Sequence, residues 1–151
     1  MKVSIMKKIY KILFTFFLVM GISSNAISSE DFFKKGLELF KDKKLDDAKF
    51  MFERSIVFNP KDSNSYLYLA KIYNHQEDQD KEEKNLEATL LIEPNNEEAI
   101  LMSMKIALER SNYSKVKDLS NTFSKVCKKL CNENKEILDT LANIEPKKNE
   151  S

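Results

Sequence analysis

Two dipeptides, Asn59-Pro60 and Glu93-Pro94, stand 34 residues apart, and each follows an amphipathic stretch and precedes a polar turn. A period of this length marks a stacked-repeat architecture, in which each unit has an apolar face that only its neighbour can bury. Superposing the chain on itself at that period puts Phe32 over Tyr66 and Ile100, Gly36 over Ala70 and Met104, Leu39 over Tyr73 and Ala107, and Phe52 over Leu86. Within a unit the apolar residues recur at helical spacing, most clearly at Tyr66, Leu69, Ala70 and Tyr73, and a polar turn leads to a second amphipathic helix. Only two Gly and three Pro occur in 151 residues, too few for the turns of a β-rich fold. The fold class expected is all-α, with helical hairpins stacked on one another.

The succession of aromatic, small, Tyr-like, Ala, Phe-like and Pro positions resembles the tetratricopeptide repeat family, whose unit is 34 residues long. Repeat one, about 29–62, keeps Phe32, Gly36, Leu39, Leu45, Ala48, Phe52 and Pro60 at the family's positions. Repeat two, about 63–96, runs from Tyr66 through Leu69, Ala70 and Tyr73 to Leu86 and Pro94. Repeat three, about 97–130, retains Tyr113, Val116 and Phe123 but has Met104 at the small position and Lys128 in place of Pro. Glu82 stands where the family places an Ala that lets two helices touch. A buried carboxylate without a partner is costly, so the second hairpin is expected to splay, or Glu82 to reach water. The resemblance implies a right-handed superhelical stack of antiparallel hairpins. A capping helix is expected at about 132–144, its apolar stripe made by Ile137, Leu138, Leu141 and Ile144, and 145–151 read as a disordered polar tail.

The same resemblance places a partner-binding groove along the first helix of each repeat. It assigns Phe33, Leu37, Phe40 and Lys41 in repeat one, Leu67, Lys71, Asn74 and His75 in repeat two, and Leu101, Lys105, Leu108 and Glu109 in repeat three. A peptide can lay apolar anchors on Phe33, Leu37 and Phe40 while Lys71 and Lys105 neutralise an acidic group; alternatively these large side chains pack against the next hairpin. Chaperone-cofactor members of the family grip a terminal carboxylate with Lys and Asn where this chain has Phe33 and Leu37, so that clamp is not expected.

Chemistry finds little to work with. The one histidine, His75, reads as a solvated residue of a polar turn, and the acidic run Glu77, Asp78, Asp80, Glu82 and Glu83 lacks the Gly and ligand spacing of a calcium loop. No Gly-rich phosphate loop and no basic excess are present, so no catalysis, cofactor, metal or nucleic acid is expected. Cys127 and Cys131 lie four apart. Within one helix their Cβ atoms would be about 5–6 Å apart, wider than a disulfide allows, so a bond requires the helix to end between them. Free thiols, or a redox or metal role, are the alternatives.

The first 26 residues differ from the rest. Lys2, Lys7, Lys8 and Lys11 precede an apolar run from Ile12 to Ile22, and Ser23-Ser24-Asn25-Ala26 supplies small residues for a peptidase. This is the pattern of a secretory signal peptide. Eleven helical residues span about 16 Å against a hydrocarbon core of about 30 Å. Lys11 to Glu30 is free of charge in between, so a longer, uncleaved inner-membrane anchor is the alternative. Without the leader, 21 basic and 24 acidic side chains remain. The abundance of Lys, Asn, Ile and Phe suggests an AT-rich bacterial genome, and export there leads to the periplasm. The function expected is a non-enzymatic scaffold binding a protein or peptide in the envelope, with a membrane-tethered assembly subunit or a thiol-redox protein using Cys127 and Cys131 as alternatives. Intact mass of the native protein should show a mature chain starting at Ile27; a mass that includes residues 1–26 would establish the anchored form.

Overall fold

Residues 28–144 are described by the structure, a computed structural model; the expected leader (1–26) and tail (145–151) lie outside the described residues. Seven α-helices and no strand occur among the described residues: α1 (Ser29–Lys41), α2 (Leu45–Phe58), α3 (Ser63–His75), α4 (Gln79–Ile92), α5 (Glu97–Glu109), α6 (Tyr113–Val126) and α7 (Cys131–Ile144). Helices α1/α2, α3/α4 and α5/α6 form three hairpins stacked in chain order, and α7 packs on the last.

Helix starts follow from short polar side chains that satisfy orphan backbone donors. Ser28 and Asp31 make a reciprocal capping box at α1. Asp62, Asp78, Asn96 and Asn112 accept the backbone N–H of Ser65 (3.4 Å), Lys81 (3.2 Å), Ala99 (3.0 Å) and Lys115 (3.1 Å) at the starts of α3, α4, α5 and α6. Lys44, before α2, gives no side-chain cap, and Asp46 and Asp47 place negative charge in that helix's first turn instead.

Each hairpin closes with the same turn. The amides of Lys44, Asp78 and Asn112 donate to the carbonyls of Leu39, Tyr73 and Ala107, and those of Lys43, Glu77 and Ser111 to Phe40, Asn74 and Leu108. This paired pattern terminates a helix through a left-handed residue, and Lys43, Glu77 and Ser111 have φ of 60°, 58° and 55°. None is glycine, although the left-handed region costs an L-residue about 1–2 kcal/mol. The backbone hydrogen bonds impose the turn.

The connections between hairpins obey a different rule. Asn59 and Glu93 end α2 and α4 with φ of −139° and −131° and positive ψ, outside the helical region that a following proline disfavours. At the third such position Lys128 replaces proline and brings an amide that proline lacks. Glu97, the first residue of α5, accepts it: its carboxylate receives the N–H groups of Lys128 (2.9 Å), Lys129 (3.0 Å) and Leu130 (2.9 Å). These bonds, that from Leu130 foremost, hold the Glu97 carboxyl below its ordinary range. Cys127 and Cys131 are joined in a disulfide across this break, with Cα atoms 5.4 Å apart. The helix ends between them, as a bond at this spacing demands.

The core is set by how closely paired helices approach. Gly36 is buried on α1 against the fully buried Phe52 of α2, and a Cβ there would lie 2.6 Å from Phe52 Cε1. Ala70 and Leu86 occupy the same register in the second hairpin and share a cluster with Leu67, Ala99 and Ile106. In the third, Met104 stands at the small position and Ser120 at the large one, both buried. As one side grows the other shrinks, so hairpin three remains packed through Met104, Val116 and Phe123. The cap contributes Ile137 and Leu141 to that cluster, with Leu138 half-buried beside them. Ile144, expected on the same stripe, is instead exposed at the end of α7.

Phe52 cannot yield easily, since its ring is stacked on Tyr68 at 5.2 Å and tilted against Phe33 at 5.7 Å. Replacing Gly36 by Ala is therefore expected to lower unfolding free energy by about 1–2 kcal/mol: overpacking costs about 1–3 kcal/mol, and the better helix propensity of Ala returns up to about 1. Urea unfolding measures the difference, and a variant as stable as the parent would show that the ring moves aside.

Candidate functional site

A cavity of about 270 Å³ opens where the first helices of the three hairpins meet. Helix α1 contributes Phe40 from its last turn, and α3 contributes Lys71, Asn74 and His75. Glu98, Met102, Lys105, Ile106 and Glu109 line it from α5, and Glu82 reaches it from α4. Residues 71, 74 and 75, like 98, 102, 105 and 109, recur at three and four positions, so one face of each helix is presented to the same space.

Of the residues assigned from sequence, the structure brings Phe40, Lys71, Asn74 and Lys105 together on the cavity wall, along with His75 and Glu109. Leu67 and Leu101 are not on it: each is 5% exposed, the former in the middle core cluster and the latter in the C-terminal one. Their positions on α3 and α5 point toward the next helices rather than into the open face. Phe33 and Leu37 are half-buried against the N-terminal core, with the Phe33 ring 5.8 Å from Tyr68. Leu108 is half-buried against the C-terminal cluster, and Lys41 is exposed.

Met102, Ile106, Glu98 and Glu82 are wall residues that sequence reasoning did not assign. The signal for Glu98 and Met102 was available, because they share a face with Lys105 at helical spacing. Glu98 holds Lys71, with an Nζ–Oε2 distance of 2.8 Å, and the same ammonium lies 4.4 Å from the centre of the Tyr68 ring. Phe40 packs edge-on to Tyr68 at 5.3 Å, and its centroid is 6.1 Å from that of His75. His75 is the last residue of α3, not a residue of the turn, and it is exposed.

Glu82 departs from both outcomes expected of it. It is 4% exposed, so it does not reach into water, and the hairpin around it is closed, with Leu67, Ala70 and Leu86 in one cluster. The reason is Asn74, eight residues earlier and across the hairpin, whose side-chain amide donates to both Glu82 carboxylate oxygens at 3.2 Å. Burial pushes the Glu82 carboxyl above its ordinary range; the Asn74 bond opposes this, and the charge of Glu109 adds to it.

The rest of the acidic run is not simply solvated. Asp78 caps α4. Arg110 binds Asp80 at 2.8 Å and also pairs with Glu83, which accepts Lys115 Nζ at 2.7 Å. Gln79 donates to Glu109 at 2.6 Å. The Lys115 bond chiefly holds the Glu83 carboxyl below its usual range. These contacts tie the second hairpin to the third along one edge.

The model of a family described as Tetratricopeptide repeat matches residues 51–84, from the middle of α2 to the first turns of α4. The fold is a tetratricopeptide-like helical repeat. Among solved structures of similar fold is the Yersinia enterocolitica type III secretion chaperone SycD in complex with a peptide of the translocator YopD. It is 13% identical with a TM-score of 0.69, over 82% of this chain and 97% of that one. Another is the first tetratricopeptide domain of Spaghetti (RPAP3) bound to an HSP90 peptide, 15% identical with a TM-score of 0.65, over 76% and 96%. The tetratricopeptide domain of Sgt2 from Aspergillus fumigatus is 12% identical with a TM-score of 0.63, over 78% and 85%. At these identities the likeness is one of fold. No curated protein sequence matches the chain.

Among the described residues no group of three or more metal-ligating side chains occurs, and no helix is long and apolar enough to cross a membrane. The tetratricopeptide-like wall therefore offers apolar contact at Phe40 and Met102 and charge at Lys105, Glu82 and Glu109. Because the Glu82 carboxyl is raised in the folded state, that state retains its proton to higher pH than the unfolded chain does. Stability falls as pH rises from the ordinary carboxylate value to the raised one, and the cost is fully present above it. Glu82→Gln, which keeps an acceptor for Asn74, should raise the urea midpoint at pH 7, and the gain should vanish below about pH 4. A lower midpoint at pH 7 would show that the charge itself supports the hairpin.

Proposed function

We propose that this protein is a non-enzymatic scaffold of the cell envelope that holds a peptide segment of a partner protein in the groove shared by α1, α3 and α5. The observation that carries this reading is the cavity formed jointly by the first helices of all three hairpins, in which Phe40, Met102 and Ile106 stand among five charged side chains. A surface assembled from successive repeats suits an extended or helical segment that spans them, with apolar anchors seated at intervals. The solved structures of SycD and of the Spaghetti domain, each with a bound peptide, support the class of ligand. Phe40 and Met102 are the apolar seats, and Phe33 and Leu37 continue the apolar surface along α1. Lys105 forms no ion pair among the described residues and is available to an acidic group of the ligand.

Export supports the envelope setting. The basic and apolar segments of the first 26 residues have the order of a secretory signal, and a disulfide between Cys127 and Cys131 suits an oxidising compartment. In a bacterium with two membranes the compartment is the periplasm.

The test uses Lys105, which is exposed, and Met102, which is half-buried against the middle core cluster. Cross-linked pull-down from the envelope fraction of the source cell, with the captured protein identified by mass, should return a partner with the wild type. Met102→Glu and Lys105→Glu together should reduce recovery of that partner at least tenfold while leaving the helical circular-dichroism signal unchanged. Full recovery by a folded double variant would move the partner to another surface.

A further inference from the structure

The charge of the groove is unevenly matched. Three carboxylates, Glu82, Glu98 and Glu109, line the cavity with two lysines. Lys71 is committed to Glu98 at 2.8 Å and to the face of Tyr68. Glu109 accepts only the neutral amide of Gln79, and Glu82 only that of Asn74. The ion pairs among the described residues leave both carboxylates without a cation, although they are near enough for the charge of Glu109 to disfavour ionisation of Glu82. Glu82 is 96% buried and Glu109 exposed, and the two like charges repel until a cation comes between them; Lys105, the other lysine of the lining, makes no ion pair with either.

We propose that the centre of the groove is a subsite for a basic side chain, the guanidinium or ammonium of an arginine or lysine in the bound peptide, received by Glu82 and Glu109. This rests on the groove reading above and names the ligand's chemistry at one position. Phe40, which lines the same cavity, offers apolar contact to the aliphatic stem of such a side chain. Asn74 holds the Glu82 carboxylate in place beforehand, so little ordering accompanies capture. A carboxylate already stripped of water gains more from a cation than an exposed one does. The same wall rejects an acidic residue at that position, since a third negative charge would enter beside two.

The test is a selection of randomised nine-residue peptides displayed on phage against the full chain, run in parallel on wild type and Glu82→Gln. Wild type should enrich arginine or lysine at one fixed position flanked by apolar residues, and Glu82→Gln should lose that enrichment while keeping the apolar ones. The best wild-type peptide is then resynthesised with citrulline, neutral and of the same shape, at the basic position. The expected result is binding weakened at least tenfold on wild type and less than twofold on Glu82→Gln, measured by fluorescence polarisation. Enriched peptides with no basic position, or a citrulline penalty equal on both proteins, overturn the subsite and leave the groove reading standing. The absence of any enriched peptide on folded wild type overturns both.

Discussion

The distance at which two helices of a hairpin can pack governs everything else in this molecule. At the N-terminal end it is set by a glycine without a side chain facing a phenylalanine hemmed in by Tyr68 and Phe33. The second and third hairpins solve the same problem with Ala70 facing Leu86 and with Met104 at the register of Ser120. The summed bulk at the contact is roughly kept while its distribution changes, the kind of exchange that close-packed interiors tolerate best. Because the three contacts keep the hairpins alike, the first helices line up, and a common face between α1, α3 and α5 results. The groove is thus a product of core packing, and its residues were free to take on charge.

That charge is arranged with some economy. Lys71 is shared between Glu98 and an aromatic ring, so the middle of the groove holds a cation already neutralised. Along the edge, Arg110 and Lys115 draw Asp80 and Glu83 into contacts between hairpins. Among the cavity residues, Glu82, Glu109 and Lys105 are left without an ion pair.

Much of the architecture was legible in the chain. The 34-residue period and the two Xaa-Pro pairs announce an all-α repeat, and α2 and α4 end directly before those pairs. Gly36 was legible too, as the site where two helices touch. The fate of Glu82 was not. Its partner Asn74 lies on the other arm of the hairpin, and no local pattern pairs them. Leu67 and Leu101 illustrate a limit of position-by-position transfer: a residue one place around a helix changes from groove wall to core, and only the angle between hairpins decides which. Lys128 was legible only as a missing proline, yet Glu97 accepts the amide that proline would have omitted and two more besides. Such a replacement is invisible until residues 97 and 128 are seen together.

The left-handed residues at the hairpin tips carry a consequence for how this chain can change over generations. Lys43, Glu77 and Ser111 occupy one conformation under the same pair of backbone hydrogen bonds, and all three side chains are exposed. One is cationic, one anionic and one neutral. Since main-chain atoms draw the path of the turn, the identity of the residue is not what holds the hairpin together. These three tip positions are therefore open to drift in charge, and substitutions can accumulate at them without disturbing either the core contacts or the groove.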